Sequence, residues 1–438
     1  MNGKLRTIIR QKIIDTEASP IPDFTRRDVY IPNVPNKAIA VIGMRRVGKT
    51  TFLWQVLKDR VESGFPREGI LFFSFDDERL MDMTVEDLQL VVEEFYSLHP
   101  EWRDRKRSLF ILDEIQLVPG WERFVRRILD TENVELYISG SSARMLSREV
   151  ATSMRGRALE AVIFPFSFRE FLRHRNEEIQ EVTRLTKAQR SFLRKRLDEY
   201  LLIGGFPEAQ GISLRDRIQL LKSYVDITLL RDVIERYDVT KPVALRIMTR
   251  NLLANPGGMF SVNRFYNDLK SRGIKVSKDL LYEYLSYLED AFLVQSIWLA
   301  TDSERKRWAN PRKIYPIDQG FNLLFDPTGQ RKISKALENV VFIELLRRGA
   351  HIEYVKTEDD YEVDFLARWP EGRKELIQVC SFVEDEKTQI REIRALLSAQ
   401  RDFPDAELKL ITLYPESFEN IPENVNLIEV SEWLLSAS

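Results

Sequence analysis

Through the first third of the chain, short apolar runs alternate with stretches of helical periodicity. AIAVIG (38–43), ILFFSF (70–75), LFILDE (109–114) and ELYISGSS (135–142) are nearly unbroken apolar runs, each ending in or followed directly by glycine, carboxylates or small polar residues. The segment TTFLWQVLKDRVESG, between the first two, has apolar positions at helical spacing. Runs that are apolar throughout, instead of alternating, are the mark of parallel strands covered by helices on both faces. An α/β domain is therefore predicted over residues 1–165. Its lead-in is a short basic amphipathic helix and a proline-punctuated segment with Pro20, Pro22, Pro32 and Pro35.

Near residue 165 the pattern changes. FPFSFREFLRHR opens a mostly helical stretch over 166–240, read as a helical lid, in which Gly204, Gly205 and Pro207 mark a tight turn. Residues 241–325 read as three helices, the second and third opened by the N-cap serines Ser261 and Ser277 and the second closed by Gly273. Two apolar strands, FLVQSIWLA and KIYPID, then flank the polar insert TDSERKRWANPR. Three helices and a two-stranded wing is winged-helix order. Residues 326–438 read as a third α/β region, with the helix ISKALENVVFIELLRRG and strands near HIEYVK, VDFLA, LIQVCSF and ELKLITLY.

A chain of 438 residues exceeds one hydrophobic core, which agrees with this division. Its 66 basic and 68 acidic residues nearly cancel, so any nucleic-acid site must be a local patch. One cysteine, Cys380, excludes an intramolecular disulfide and a cysteine zinc site, and His99, His174 and His351 are not at metal-ligand spacing. No run approaches the roughly 20 apolar residues that cross a bilayer, and the start lacks a signal-peptide core. A cytoplasmic protein without membrane contact is expected.

The loop after the first strand carries the clearest chemistry. Gly43-Met-Arg45-Arg46-Val47-Gly48-Lys49-Thr50-Thr51 fits G-x-x-x-x-G-K-[ST], with a buried strand before it and a helix after it. Glycines let backbone N–H groups turn toward phosphate oxygens at the positive end of a helix. Lys49 then reaches the β- and γ-phosphates of ATP, and the Thr50 hydroxyl ligates Mg²⁺. Asp113, at the end of the third strand, is placed to hold the same Mg²⁺ through water, and Glu114 to orient and deprotonate the attacking water. Ser139, Ser141 and Ser142 follow the fourth strand, either as γ-phosphate sensors or as an ordinary Gly-Ser turn. Arg45 and Arg46 add charge beside the phosphates. Arg155 and Arg157, or Arg231, are candidates for a finger acting in cis or across a subunit boundary, against a reading as solvated surface.

On the wing, Arg305, Lys306, Arg307, Arg312 and Lys313 stand against Glu304 and are the DNA-binding candidates. The third helix of that region carries Glu283, Glu289 and Asp290, which phosphates would repel. In the last region, Glu338 on a helix is followed by Asp364 in YEVDFLA and by Gln378-Val379-Cys380. This order resembles the PD-(D/E)XK nuclease core. The resemblance implies a Mg²⁺ site at the carboxylates, with Gln378 as a further ligand, and a lysine where Cys380 stands. A buried thiol supplies no positive charge, so the expectation is a restriction-endonuclease-like fold that has lost cleavage.

Taken with FILDEIQ, ISGSSARML, FPFSFREFL, GGFPE, LLRDVIERY and NPRKIYPIDQG, the phosphate loop makes residues 20–400 resemble the extended AAA+ ATPases of bacteria and archaea. That resemblance implies an ATP- and Mg²⁺-dependent ATPase, homo-oligomeric as a ring or hexamer, with nucleotide between subunits. Three functions stay open on the sequence. The first is a motor acting on duplex or branched DNA, the second an ATP-driven switch for protein partners, the third an ATP-dependent nuclease.

Overall fold

The computed structural model describes residues 2–140, 154, 156–180, 184–325, 333–381 and 386–436. They fall into two compact units, Met1–Ile163 and Phe164–Ser438.

The first unit runs α1 (Asn2–Ala18), β1 (Ala38–Ile42), α2 (Lys49–Glu62), β2 (Ile70–Ser74), α3 (Leu88–Leu98), β3 (Ser108–Asp113), α4 (Trp121–Thr131), β4 (Val134–Gly140) and β5 (Ala158–Val162). Its strands pair in parallel, in the order β2-β3-β4-β1-β5. β1 and β3 are buried at every position, as coverage on both faces demands. Parallel pairing also fixes polarity. The C-terminal ends of β1 and β3 lie at one edge on either side of β4, so the loops that follow them converge there. The sequence pattern revealed β1 to β4 but not β5, whose ALEAV contains a glutamate and is only partly buried at the sheet edge. The helix α1 buries Ile9 and Ile13. Its Arg6 and Arg10 each reach Glu94 of α3 at 3.2 Å, and Lys12 reaches Asp77 at 2.8 Å.

The second unit begins with α5 (Phe168–His174), α6 (Lys187–Ile203) and α7 (Leu214–Ile227), which continues into a π-helical turn over Thr228–Ile234. Next come α8 (Pro242–Leu253), β6 (Gly258–Phe260), α9 (Val262–Ser271), α10 (Lys278–Asp290), β7 (Val294–Leu299), α11 (Glu304–Ala309) and β8 (Arg312–Pro316). The chain closes with α12 (Ile333–Arg347), β9 (His351–Lys356), β10 (Glu362–Arg368), β11 (Lys374–Cys380), α13 (Glu386–Asp402), β12 (Glu407–Thr412), β13 (Val425–Glu429) and α14 (Val430–Leu435). Ser261 and Ser277 accept hydrogen bonds from N–H groups of the first turns of α9 and α10, and Gly273 turns the chain after α9 at φ 76°.

Among the described residues, the eight strands of this unit join one mixed sheet, β13-β12-β11-β10-β9-β7-β8-β6. The join is made where β7 pairs in parallel with β9, Trp298 opposite Glu353 and Leu299 opposite Tyr354. The β7–β8 hairpin thus shares a sheet with the C-terminal strands. The polar insert between β7 and β8 is not an open tip, because Ser303 caps it into the short helix α11.

The Gly204-Gly205 turn is explained by Asp318. That buried carboxylate accepts N–H bonds from Gly205 at 2.7 Å and Gly320 at 2.8 Å. A Cβ on Gly204, where φ is +78°, would lie 2.0 Å from Asp318 Oδ1. Burial pushes the Asp318 pKa up to about 6, against the pull of its two N–H donors. Among the described residues no helix is long and apolar enough to cross a membrane.

Candidate active site

After Ile42 the chain must reverse into α2 within six residues. Gly43 has φ 150° and Gly48 φ 96°, and a Cβ on Gly43 would fall 2.3 Å from the Ile163 carbonyl oxygen. Gly48 stands at the N-cap of α2 and offers no side chain, so the first-turn N–H groups stay open to an anion at the positive helix end. Lys49 is buried, its Nζ donating to the carbonyls of Gly43 at 3.2 Å and Met44 at 3.1 Å. Val47 is buried, Arg45 half-buried, and Arg46, Thr50 and Thr51 exposed.

A residue of the lead-in braces this loop. Arg27 Nη1 donates to the Val47 carbonyl at 2.8 Å. Gln55 of α2 holds the Arg27 backbone from both sides, accepting its N–H at 2.7 Å and donating to its carbonyl at 3.1 Å. Nothing in the local sequence signals this, because the contact spans 20 residues or more.

Strand β3 delivers the carboxylates. Asp113 is 2% exposed. The Thr50 hydroxyl donates to its Oδ2 at 3.0 Å and the Ser139 hydroxyl to its Oδ1 at 2.5 Å. Ser139 Oγ also accepts the Glu114 N–H at 2.9 Å. Glu114 sits at φ 54°, ψ 36°, a left-handed conformation uncommon outside glycine and asparagine, and one that collects at functional sites. Gln116 Nε2 donates to the Glu114 carboxylate. Gly140 makes room for this, since a Cβ there would meet Gln116 Oε1 at 2.9 Å. Burial raises the Glu114 pKa above the ordinary glutamate range. Lys49 and Arg45 oppose the rise, and the neighbouring Asp113 charge adds to it.

Hard oxygen donors at Thr50 and Asp113 suit Mg²⁺, which takes oxygen ligands and keeps several waters. The uncapped helix start beside Lys49 suits a polyphosphate. The structure therefore brings together Gly43, Arg45, Val47, Gly48, Lys49, Thr50, Asp113 and Glu114 around one edge of the sheet. It gives Ser139 a defined place between the two carboxylates, where the sequence offered only a choice among serines.

Ser141, Ser142 and Arg155 lie outside the described residues. Arg157 immediately precedes β5, which runs parallel to β1 with Ala158 opposite Ala38. It is thus at the opposite end of the strands from the phosphate loop, separated by roughly 13 Å of strand. There it pairs with Asp130 of α4. That corrects the reading of Arg157 as a finger in cis. Arg231 belongs to the second unit, exposed on the π-helical turn and 2.9 Å from Glu235.

A second polar cluster lies within the second unit and corrects two of the DNA-binding candidates. Lys313 is 2% exposed, and its Nζ sits 2.7 Å from Glu362, 2.9 Å from Asp364 and 3.3 Å from Glu338. Tyr315 donates to Glu338 Oε1 at 2.7 Å. Burial, reinforced by the Asp364 charge and opposed by Lys313, holds the Glu338 carboxyl above the ordinary glutamate range. The Arg312 guanidinium is part-buried, 3.7 Å from the centroid of the Trp298 ring. Strand pairing accounts for both, because these two residues open β8 inside the sheet instead of ending a free tip. Arg307 pairs with Glu304 at 3.0 Å and Glu353 at 3.2 Å. Arg305 and Lys306 remain exposed, with no ion pair among the described residues.

Asp364 also accepts the Val379 N–H at 3.0 Å, and Gln378 accepts the Asp364 N–H at 3.2 Å. Cys380 is buried in the apolar core with Leu376 and Leu396. A cation does reach these carboxylates, but from a different strand and in ion pairs, as Lys313 of β8. Among the described residues no group of three or more histidine, cysteine, aspartate or glutamate side chains is arranged to hold a metal ion. In this structure the cluster is an ion-paired lock between β8, β10 and α12.

A five-stranded parallel sheet in this order, with a glycine-rich phosphate loop after β1 and an acidic pair closing β3, defines a P-loop ATPase domain of the AAA type. The family described as an AAA domain matches residues 35–172, and the domain of unknown function DUF8612 matches residues 194–326. The chain belongs to the family of the uncharacterized protein MJ1544 of Methanocaldococcus jannaschii, to which it is 35% identical over 414 residues, covering 92% of this chain and 89% of that one. An uncharacterized protein of Haemophilus influenzae is 30% identical over 329 residues, covering 75% and 78%. Among solved structures, the Walker-type ATPase PABY2304 of Pyrococcus abyssi is similar over 73% of this chain and 95% of its own, with 14% identity and a TM-score of 0.41.

Proposed function

We propose that this chain is a Mg²⁺-dependent ATPase that converts ATP binding and hydrolysis into conformational change and acts on DNA through its second unit. The hydrogen-bonded series Thr50–Asp113–Ser139–Glu114 supports hydrolysis most directly, because it ties a metal-ligating hydroxyl to a carboxylate aligned as a base. Loop N–H groups and the Lys49 ammonium hold the phosphates. Thr50 and Asp113 hold Mg²⁺, which when bound neutralises charge on the phosphate oxygens. Glu114, fixed by Ser139 and Gln116, orients a water and takes its proton on the carboxylate. Its raised basicity suits that task.

The DNA reading is supported by the exposed Arg305 and Lys306 and by the order of α8, α9, α10 and the β7–β8 hairpin, which resembles a winged helix. The acidic residues on α10 argue against that helix entering a groove. The C-terminal strands resemble the nuclease core with cleavage lost, since Lys313 stands between the carboxylates. Within a homo-oligomeric ring or hexamer, Arg157 and Arg231 are the described candidates for a finger to a neighbouring subunit.

ATP turnover measured at low salt with duplex, branched and single-stranded DNA tests this reading. Stimulation by at least one of them is expected. If no DNA binds or raises turnover, the DNA assignment is withdrawn in favour of a switch for protein partners.

A further inference from the structure

The helix α11, inserted between β7 and β8, exposes an aromatic ring in a setting of unpaired cations. Trp308 is 60% exposed. It is not a loose side chain, because Trp298 of β7 meets it edge to face at a centroid distance of 4.9 Å and an angle of 70°. Arg312 in turn lies 3.7 Å from the Trp298 centroid and 5.9 Å from that of Trp308. The two indoles and the guanidinium form a braced stack whose outer member is in water. Arg305 precedes Trp308 by three residues, the spacing that places two side chains on one helix face. Lys306 is exposed next to it, and the acid of this helix, Glu304, is engaged by Arg307.

We propose that this helix is a stacking platform for unpaired bases of single-stranded DNA, with Trp308 stacking on a base and Arg305 and Lys306 meeting the adjoining phosphates. An aromatic face beside free cations is the combination that single-strand grooves use, since every base has a stackable face and the backbone supplies the anions. In duplex DNA those faces are covered by neighbouring pairs, so the ring has nothing to stack on there. Charge complementarity selects a nucleic acid over an apolar protein segment. On α10, Glu283 and Asp290 weigh against a duplex groove as the main target, whereas Glu289 is taken up by Arg312 of the stack at 3.8 Å. The inference rests on the DNA reading above and narrows it to opened or single-stranded structures.

Fluorescence anisotropy of the full chain with a labelled oligothymidylate of about 20 nucleotides, and with a duplex of equal length, tests this. Trp308→Ala is expected to weaken single-strand binding about tenfold or more, with duplex binding and DNA-free ATP turnover unchanged. Trp308→Phe should restore most of the loss, and Arg305→Ala combined with Lys306→Ala should weaken both ligands and flatten the salt dependence. Single-strand affinity no greater than duplex affinity overturns the proposal, as does a Trp308→Ala variant that loses both ligands equally or neither. If DNA stimulates turnover while Trp308→Ala is silent, only this inference falls. If no DNA binds at all, the DNA reading falls with it.

Discussion

Glu114 is held from three directions: a left-handed backbone, an N–H bond to Ser139 and a side-chain bond from Gln116. Such restraint places a carboxylate for chemistry more narrowly than core packing needs. Glu114→Gln should therefore keep Mg²⁺-ATP binding and lose turnover by about 100-fold or more. The pH profile follows from the same burial. A base must be ionised to act, and its raised pKa means that the ionised fraction falls away sooner as pH drops. The acid limb of kcat/KM should thus lie above the ordinary glutamate value of about 4.3. A limb at or below that value would show that Glu114 is not the base. The loop and the acidic pair were legible in the sequence because phosphate chemistry fixes residue types over a few consecutive positions. Gln116 and Arg27 were not, and Ser139 was legible only as one of three candidate serines, since their roles depend on which strands become neighbours and on contacts far along the chain.

At the scale of elements, β8 was the segment most open to misreading. In the sequence ERKRWANPRK is a basic polar run. In the fold, Arg312 and Lys313 begin a strand, and alternation sends their side chains to opposite faces. One covers Trp298, and the other enters the carboxylate cluster. Removing one partner of a buried ion pair leaves uncompensated charge, so Lys313→Ala should destabilise the second unit by about 3–5 kcal/mol. Chemical denaturation checks this, and a loss below about 1 kcal/mol, the range of surface pairs, would show that the lock is only superficial. The edge strand β5 escaped notice for a related reason, as partial exposure removes the apolar run that marks buried strands. The serine caps of α9 and α10 were readable because capping is local.

For the whole molecule, the phosphate loop sits in the unit whose first four strands were apparent from apolar runs, although their order in the sheet was not. The second unit joins regions that the sequence separates, because the pairing of β7 with β9 is a tertiary event without a local signature. With Lys313 between Glu338 and Asp364, plasmid DNA should remain un-nicked in Mg²⁺ or Mn²⁺. Nicking that disappears in Asp364→Ala would identify a working nuclease site instead. The engine itself is tested most directly by phosphate release from ATP, comparing the purified chain with its Lys49→Ala variant, each with Mg²⁺ and with EDTA. Turnover is expected in the unaltered chain with Mg²⁺ alone. Equal turnover in Lys49→Ala, or no release and no adenine-nucleotide binding by the unaltered chain, would contradict the assignment.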